Sequence, residues 1–359
     1  MTKDHIQFFF EGDDYYDALW HDLRSARRTI YLQVYMLADD AIGRHLAAIL
    51  KAKAIEGLDI RLTVDGIGSL ELAETYLVDL QRTGVRVKVY HPLKIFTVFQ
   101  RTLFRRDHRK VILIDDEIGY LGGFNLHEKS SQKYAGKIRW RDTQLRITGP
   151  WALTLKKYVH HAFGFFLNMP RSFRPHIHPN VILATFGPRA GNPIRRLFHR
   201  YIRKTKKALT ITTAYFVPDL RTLFLLTRAA KRGVAVTIIT ARDVIDVPLV
   251  NRANRWLLTF LIRRGVVIYC FTGRMLHAKT AHFDDLLGTV GSSNVNYRSF
   301  FWDKEINAFF RNSRWVHELA EQTQRDLTEC RRISLEELDN VSLWQRLLDG
   351  IIYLIKSFF

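Results

Sequence analysis

Residues 108–115 read His108-Arg-Lys-Val-Ile-Leu-Ile-Asp115 and are followed by Gly-Gly-Phe-Asn125 at residues 122–125. The second half of the chain repeats this pattern as His277-Ala-Lys-Thr-Ala-His-Phe-Asp284, followed by Gly-Ser-Ser-Asn294. Five fixed residues, each used at about 5%, match by chance only about once in several million starting positions. Two matches in one chain therefore predict a duplicated protein with one copy of the motif in each half.

The order of strands and helices around the two motifs also repeats. Residues 29–35 and 209–215 read as strands, and each is followed by a helical pattern and then by an apolar strand after Gly57 or Gly233. Strands separated by helices pair in parallel through right-handed crossovers, with helices on both faces of the sheet. We therefore expect an α/β protein of two similar halves, with mixed, mostly parallel sheets and the active site between them.

The boundary between the halves is marked by composition. Residues 171–207 contain ten Arg or Lys and no Asp or Glu, and five of the nine prolines lie between residues 170 and 193. Repeated prolines interrupt helical patterns, so the stretch reads as an exposed connection, either a solvated linker or a phosphate-binding surface. We place the first half at residues 1–172 and the second at residues 173–359.

Composition also indicates the class of partner. The chain has 359 residues, 47% of them hydrophobic, which is enough for a large core, and a formal charge of +20 that attracts polyanions such as nucleic acid or anionic bilayers. The two cysteines, Cys270 and Cys330, have no metal-ligand spacing and suit a reducing compartment. The sequence shows no signal peptide pattern and no apolar run of membrane-spanning length, so if the protein works on membranes we expect it to do so from their surface.

The residue types in the motifs suit chemistry at phosphorus. Residues two apart on a strand face the same way, so His and Lys would point at one spot, and a turn after the Asp would bring the Asn back to it. Imidazole is a nucleophile and proton carrier, while Lys and Asn can hold phosphate oxygens. Two copies supply two histidines, which is what a double displacement needs, because one attacks while the other protonates the leaving oxygen.

With these motifs the chain resembles the phospholipase D superfamily, whose signature is the duplicated His-x-Lys-x4-Asp motif. It is most similar to bacterial cardiolipin synthases of the shorter type, which lack N-terminal transmembrane helices. The similarity extends to residues 64–69, 140–142, 215–218 and 298–300. One departure follows Asn125, where Leu-His-Glu-Lys stands in place of the usual Gly-Asp.

The resemblance implies a phosphatidyl-histidine intermediate. One histidine attacks a phospholipid phosphodiester, and the other protonates the departing alcohol and later deprotonates the acceptor, without a cofactor or a metal. The resemblance favours His108 as the nucleophile and His277 as the acid and base. The residues that it implies as ligands of the phosphoryl oxygens are Lys110, Lys279, Asn125, Asn294 and, more weakly, Ser292.

Four acidic residues complete the implied site. Asp115 and Asp284 belong to the catalytic motifs and would position them. Asp142 and Glu305 follow the two motifs at similar distances, and the resemblance implies that acids of this kind hydrogen-bond a catalytic imidazole. The alternative for Asp142 and Glu305 is an ordinary surface carboxylate.

Two apolar segments favour a lipid substrate over nucleic acid. Residues 92–106 mix seven apolar side chains with four basic ones, and residues 343–359 repeat apolar side chains at helical spacing. Either segment could insert into an anionic membrane or pack on the protein itself. The leading hypothesis is a transferase at the cytoplasmic face of the cell membrane that forms cardiolipin from two phosphatidylglycerols. The alternatives are a lipid hydrolase, a nuclease and a non-catalytic binder of anionic lipid, and the oligomeric state is left open.

Overall fold

The computed structural model describes residues 6–92, 105–163, 176–177, 180–185 and 192–354. In the first half the strands are β1 (Ile6–Phe9), β2 (Thr29–Val34), β3 (Asp59–Asp65), β4 (Arg86–Tyr90), β5 (Val111–Ile114), β6 (Ile118–Gly122) and β7 (Gln144–Ile147). The helices of this half are α1 (Gly12–Ser25), α2 (Ala41–Ile55), α3 (Glu74–Arg82), α4 (Gln132–Ala135) and α5 (Pro150–Ala162).

The second half repeats this alternation. Its strands are β8 (His176–Ile177), β9 (Asn180–Ala184), β10 (Ala208–Thr213), β11 (Ala235–Ala241), β12 (Val267–Phe271), β13 (Lys279–Phe283), β14 (Leu287–Gly291), β15 (Ile306–Phe310) and β16 (Cys330–Arg332). Its helices are α6 (Pro193–Lys204), α7 (Leu220–Lys231), α8 (Leu249–Ile262), α9 (Tyr297–Phe301), α10 (Ser313–Thr328), α11 (Leu335–Asp339) and α12 (Leu343–Leu354).

Each half contains one mixed sheet. The strand order is β1-β7-β6-β5-β2-β3-β4 in the first and β16-β12-β11-β10-β13-β14-β15-β9-β8 in the second. The run β6-β5-β2-β3-β4 corresponds to β14-β13-β10-β11-β12, which confirms two similar α/β halves. The second motif therefore stands in its sheet where the first motif stands in the other.

The prediction that the sheets are mostly parallel is wrong. Among the described strands the parallel pairs are β2–β3, β3–β4, β10–β11 and β11–β12, whereas ten pairs are antiparallel. The cause lies in the motifs, because β5–β6 and β13–β14 are joined by turns of three residues. Such a turn is too short for a crossover helix and permits only an antiparallel hairpin.

The two sheets pack against each other through a shared apolar core. Val111 and Leu121 of the first sheet belong to the same buried cluster as Val290 and Ala308 of the second. Trp151 of α5 and Trp315 of α10 meet in this cluster, with ring centroids 6.1 Å apart. The burial of both inner faces joins the halves into one body.

The basic stretch 171–207 is more than the exposed connection that was predicted. Its residues 193–204 form α6, because the side chain of Asn192 caps the helix and Pro193 occupies the first turn. Ile194, Phe198 and Ile202 of α6 are buried in the core of the second half. The predicted boundary at residues 172 and 173 lies outside the described residues.

The structure describes only one of the two apolar segments that the sequence indicates. Residues 93–104, which include nearly all of the segment 92–106, lie outside the described part of the chain. Residues 343–354 form α12, which packs on α8 through Ile352 and Tyr353. Within the described ranges no helix is long and apolar enough to cross a bilayer.

Candidate active site

Both motif histidines lie in extended segments that pair with the opposite half of the chain. The backbone N–H of His108 donates to the carbonyl of Lys304 at 3.0 Å, and that of His277 donates to the carbonyl of Arg141 at 2.7 Å. Lys110 directly precedes β5, and Lys279 is the first residue of β13. The prediction that His and Lys share one strand is therefore wrong in detail, since each His precedes its strand and is fixed by the other half.

The acids pair with the histidines across the two halves. Asp142, which follows the first motif, accepts a hydrogen bond from Nδ1 of His277 at 2.5 Å. Glu305, which follows the second motif, lies 3.3 Å from Nδ1 of His108. Both carboxylates are buried, so neither is a surface residue. A carboxylate at Nδ1 holds the imidazole with its Nε2 towards the reacting group and stabilises the imidazolium form.

The two lysines lie directly behind the histidines. Lys110 Nζ donates to the carbonyl of His108 at 2.8 Å, and Lys279 Nζ donates in the same way to the carbonyl of His277. The Tyr35 ring covers this corner, with its centroid 4.8 Å from Lys110 Nζ and 4.6 Å from the His108 ring. Two ammonium groups are thus held together in a buried position where an anion would stabilise them.

Burial and mutual repulsion shift the ionisation of the site. Burial lowers the pKa of Lys110 to about 7, with a further contribution from Lys279, whose own pKa burial lowers to about 8. Burial, and then the two lysines, hold the pKa of both His108 and His277 well below the ordinary value of 6.5. Burial raises the pKa of Glu305 to about 7. Perturbed groups concentrated in one place are typical of an active site.

The two asparagines are held by their side-chain oxygens. Oδ1 of Asn125 accepts the backbone N–H of Met36 at 3.3 Å, and Oδ1 of Asn294 accepts the Thr213 hydroxyl at 3.2 Å. These bonds leave the amide N–H groups of both asparagines as donors for a ligand. The pattern fits the role of oxygen ligand that the sequence predicts.

A cavity of about 170 Å³ brings four of the predicted residues together, whereas Lys110 and Lys279 lie behind the histidines and do not line it. His108, His277, Asn125 and Asn294 line it. The sequence reasoning did not assign the other lining residues to the site, and they are Tyr35, Met36, Trp140, Tyr215, Asp246, Val247, Val250, Asn296, Arg298, Ser299 and Asp303. A usable signal existed for two of them, because Tyr35 and Tyr215 end equivalent strands of the repeat.

Ser292 is not brought to the cavity. Its hydroxyl donates to Glu305 and also accepts the backbone N–H of Ile306 at 3.0 Å. Its carbonyl lies 3.1 Å from Nδ1 of His108. Ser292 thus contacts the groups that orient His108, which is a different place from the phosphate ligand that was predicted.

Asp115 and Asp284 lie at the far ends of β5 and β13, away from the cavity. The Asp115 carboxylate accepts the backbone N–H groups of residues 27, 28 and 29, and Asp284 accepts those of residues 206, 207 and 208. Each acid therefore ties its motif hairpin to the start of the neighbouring central strand. Their placement fits the positioning role and offers no contact with substrate.

Within the described ranges, no group of three or more His, Cys, Asp or Glu is arranged to hold a metal ion. The side chains at the cavity offer a chemistry of their own. Two imidazoles and two amides line the cavity, two ammonium groups lie behind the imidazoles, and separate carboxylates orient the imidazoles. Such a set can attack phosphorus, hold its oxygens and protonate a leaving group.

Comparison with known proteins agrees with this geometry. The family model described as cardiolipin synthase, PLD-like domain, matches residues 19–136 and 198–327. The chain is 31% identical to a cardiolipin synthase of Halalkalibacterium halodurans over 96% of this chain and 70% of that protein. It is 28% identical to the major cardiolipin synthase ClsA of Bacillus subtilis over 99% of this chain and 76% of that protein. The crystal structure of phosphatidylserine synthase from Haemophilus influenzae shares the fold, with a TM-score of 0.77 and 15% identity over 99% of this chain and 95% of that one.

Proposed function

Since the chain belongs to the cardiolipin synthase family with phospholipase D-like domains, it is a phosphatidyltransferase of phospholipid biosynthesis, and we propose that it joins two phosphatidylglycerols into cardiolipin. The observation that carries the proposal is the pair of histidines on one cavity, each hydrogen-bonded to a carboxylate from the other half. A pair of this kind supports transfer in two steps at one phosphorus. The family membership gives phospholipid as the class of substrate. We propose that phosphatidylglycerol is both the phosphatidyl donor and the acceptor.

In the first step Nε2 of His108 attacks the phosphorus of one phosphatidylglycerol. The bond between phosphorus and the glycerol headgroup oxygen breaks, and His277 gives that oxygen its proton as glycerol leaves. In the second step a headgroup hydroxyl of another phosphatidylglycerol loses its proton to His277 and attacks the same phosphorus. The bond to His108 breaks, and cardiolipin is released with both histidines restored.

The hydrogen-bond geometry supports this division of labour, because the pKa values of the two histidines are depressed alike. A depressed pKa keeps His108 neutral, as a nucleophile must be. The contact between Asp142 and His277, at 2.5 Å, is closer than that between Glu305 and His108, at 3.3 Å, and favours the imidazolium form on His277. Negative charge on the bound phosphate offsets the two lysines and further supports a protonated His277.

Lys110, Lys279, Asn125 and Asn294 supply the donors for the phosphoryl oxygens. Their charge and N–H groups would stabilise the five-coordinate transition state, in which negative charge accumulates on those oxygens. Because the lysine ammonium groups are already fixed by the histidine carbonyls, little reorganisation is needed when the lipid binds. The basic protein would meet its anionic lipid at the cytoplasmic face of the membrane.

The test incubates the purified protein with phosphatidylglycerol vesicles and identifies products by mass spectrometry, with His108→Ala and His277→Ala as variants and exposed His317→Ala as the matched control. We expect cardiolipin and glycerol from the unaltered protein and from His317→Ala, and neither product from the two motif variants. Phosphatidic acid alone would identify a hydrolase. Cleavage of nucleic acid without lipid turnover would overturn the proposal.

A further inference from the structure

Helix α12 is anchored on the second half by one of its faces. Asp349 forms ion pairs with Arg252 at 3.2 Å and Arg255 at 3.1 Å, and the Tyr353 ring meets the Trp256 ring edge-on at 4.9 Å. Asp349 is only 3% exposed, so the charged contact is part of the packing against α8. The inner face of α12 is thus covered by its contacts with α8.

The outer face of the same helix is apolar and open to solvent. Trp344, Leu347, Leu348 and Ile351, which we call the apolar stripe, are 81%, 61%, 41% and 60% exposed. Their spacing of three, four and seven residues places them on one side of the helix. Single exposed apolar side chains are common, but a continuous stripe of four large ones marks an interaction surface.

The helix that carries the stripe packs on a helix that reaches the cavity. Helix α8, on which α12 packs, begins at the cavity, because Val247 and Val250 line it. Leu249 between them is 47% exposed, and Trp256 on the next turns is 36% exposed. Exposed apolar groups therefore continue from α12 along α8 towards the catalytic histidines.

The cavity is too small to hold a whole phospholipid. Its volume of about 170 Å³ is below the roughly 300–1,000 Å³ of pockets for drug-sized ligands. It can take a headgroup phosphate, but two acyl chains must remain outside. A lipid substrate would then be used while its chains are still in a bilayer or micelle, and the protein surface next to the cavity has to face that phase.

The charge of the helices around the apolar stripe indicates what kind of lipid surface the stripe would bind. The ranges 220–232, 249–264 and 343–354, which comprise α7, α8 and α12, contain nine Arg or Lys and a single acidic residue, Asp349. Helices α7, α11 and α12 all pack on α8, and the basic residues of these ranges outnumber Asp349 and the three acids of α11, Glu336, Glu337 and Asp339. An apolar stripe among basic residues matches the acyl boundary and the headgroups of an anionic bilayer.

We propose that the apolar stripe of α12 is the surface by which this protein docks on anionic membranes, next to the mouth of the active-site cavity. The proposal rests on the proposed function for its substrate and deepens it by naming the surface that meets the lipid phase. Trp344 and Leu347 would enter the boundary between headgroups and acyl chains, while the basic side chains of the neighbouring helices contact lipid phosphates.

The test is sedimentation with vesicles of phosphatidylglycerol or of phosphatidylcholine. The variant is Leu347→Glu/Ile351→Glu, and the matched control is Ile55→Glu/Leu153→Glu, two residues that are 78% and 55% exposed and lie outside the cavity lining. We expect binding to phosphatidylglycerol vesicles to fall at least tenfold in the stripe variant only. Turnover of a short-chain phosphatidylglycerol dissolved as monomers should stay unchanged in both variants.

A second measurement avoids reliance on the charged variant. The fluorescence of Trp344, taken as the difference between the unaltered protein and Trp344→Phe, should shift to shorter wavelength when phosphatidylglycerol vesicles are added. Unchanged vesicle binding in the stripe variant, or a Trp344 signal that does not respond, would overturn the proposal. So would a dimer of the unaltered protein that the stripe variant turns into a monomer, because a second copy would then cover the stripe. Vesicle binding through the stripe without lipid turnover would leave this inference standing and overturn only the proposed function.

Discussion

Gly123 and Ser292 occupy equivalent positions of the two motifs but have opposite surroundings. A Cβ at Gly123 would lie 2.0 Å from Oδ1 of Asp142, whereas the hydroxyl of Ser292 donates to Glu305. In the first half, Gly123 has no side chain and the Asp142 carboxylate occupies the space beside it. In the second half, the Ser292 side chain occupies the equivalent space and its hydroxyl binds the Glu305 carboxylate. The identity of each small residue is therefore coupled to the acid that orients the histidine of the other half.

Gly123→Ala tests this coupling. The added methyl group must displace Asp142, which orients His277, so we expect at least a tenfold loss of kcat with little change in KM. The fold should persist, as shown by an ordinary cooperative melt. Gly350→Ala is the matched control, because a Cβ there meets nothing within 4 Å and Ala favours the helix. Full activity of Gly123→Ala would refute the close contact.

The ionisation of Glu305 sets the acid side of the pH profile. Its pKa, raised to about 7 by burial, means that the carboxyl becomes protonated as the pH falls below 7. A protonated Glu305 no longer stabilises charge on His108, so kcat/KM should fall about tenfold per pH unit below 7. In Glu305→Gln the activity should be lower by about a hundredfold or more, and this acid limb should be absent. A limb that persists in the variant would assign it to another group.

At the scale of the element, the motif hairpins are fixed by the acids at their turns. Asp115 and Asp284 have φ values of 52° and 49°, in the left-handed region that Asp and Asn tolerate better than other residues with a side chain. Each carboxylate also accepts three backbone N–H groups from the segment that leads into the central strand. One residue type thus satisfies both the turn geometry and the hydrogen bonds.

Asp115→Ala should lower stability more than catalysis. Loss of the acceptor and strain at positive φ together cost about 2–3 kcal/mol of unfolding free energy, and Asp115→Asn should cost less because it keeps one oxygen and tolerates the turn. Glu117→Ala, which removes an exposed ion pair with Arg28, should change stability by less than about 0.5 kcal/mol. Chemical denaturation measures all three. A fully stable but inactive Asp115→Ala would instead place this acid in the chemistry.

Several elements could be predicted from the sequence because their patterns are local. Strands β2 and β10 read directly from apolar runs, and each lies in parallel with the strand that follows it, as the intervening helices predict. The antiparallel remainder was missed because the sequence does not show that the motif strands β5 and β13 pair with the central strands β2 and β10 in the antiparallel sense. Helix α6 was missed because its basic face and Pro193 resemble a linker, although its apolar residues recur at helical spacing.

At the scale of the whole molecule, the halves interlock through buried ion pairs as well as through the core. Arg141, next to the acid that orients His277, makes a bidentate pair with Asp326 of α10, with both contacts at 2.8 Å. The side chains are 2% and 3% exposed. The first half therefore depends on a charge supplied by the second half.

Removal of one partner should destabilise the entire protein. Arg141→Leu leaves Asp326 buried without its cation and should cost about 3–5 kcal/mol of unfolding free energy. The double variant Arg141→Leu/Asp326→Leu should recover part of that loss, because no unpaired charge is then left in the interior. Denaturant unfolding followed by fluorescence should show one transition in every case. Two separate transitions would show that the halves unfold independently.

Part of the site could be predicted from the sequence, but the pairing of its acids with its histidines could not. The spacing of the motifs points to His108 and His277, and the family resemblance points to Asp142 and Glu305, yet neither indicates which acid contacts which histidine. That choice follows from how the sheets face each other, because strands before one motif exchange backbone hydrogen bonds with the segment after the other. No local sequence pattern predicts long-range packing of this kind.

The crossed pairing of acids and histidines has a consequence for descent. In a half-length ancestor with a single motif, the histidine and the acid of one molecule would be too far apart to form a hydrogen bond. Such an ancestor would need a second identical molecule to supply the acid for each histidine. In this chain both crossed pairs form within one molecule, so no second molecule is needed. Within the chain the two copies now differ at equivalent positions, with Gly123 beside Asp142 in one and Ser292 beside Glu305 in the other.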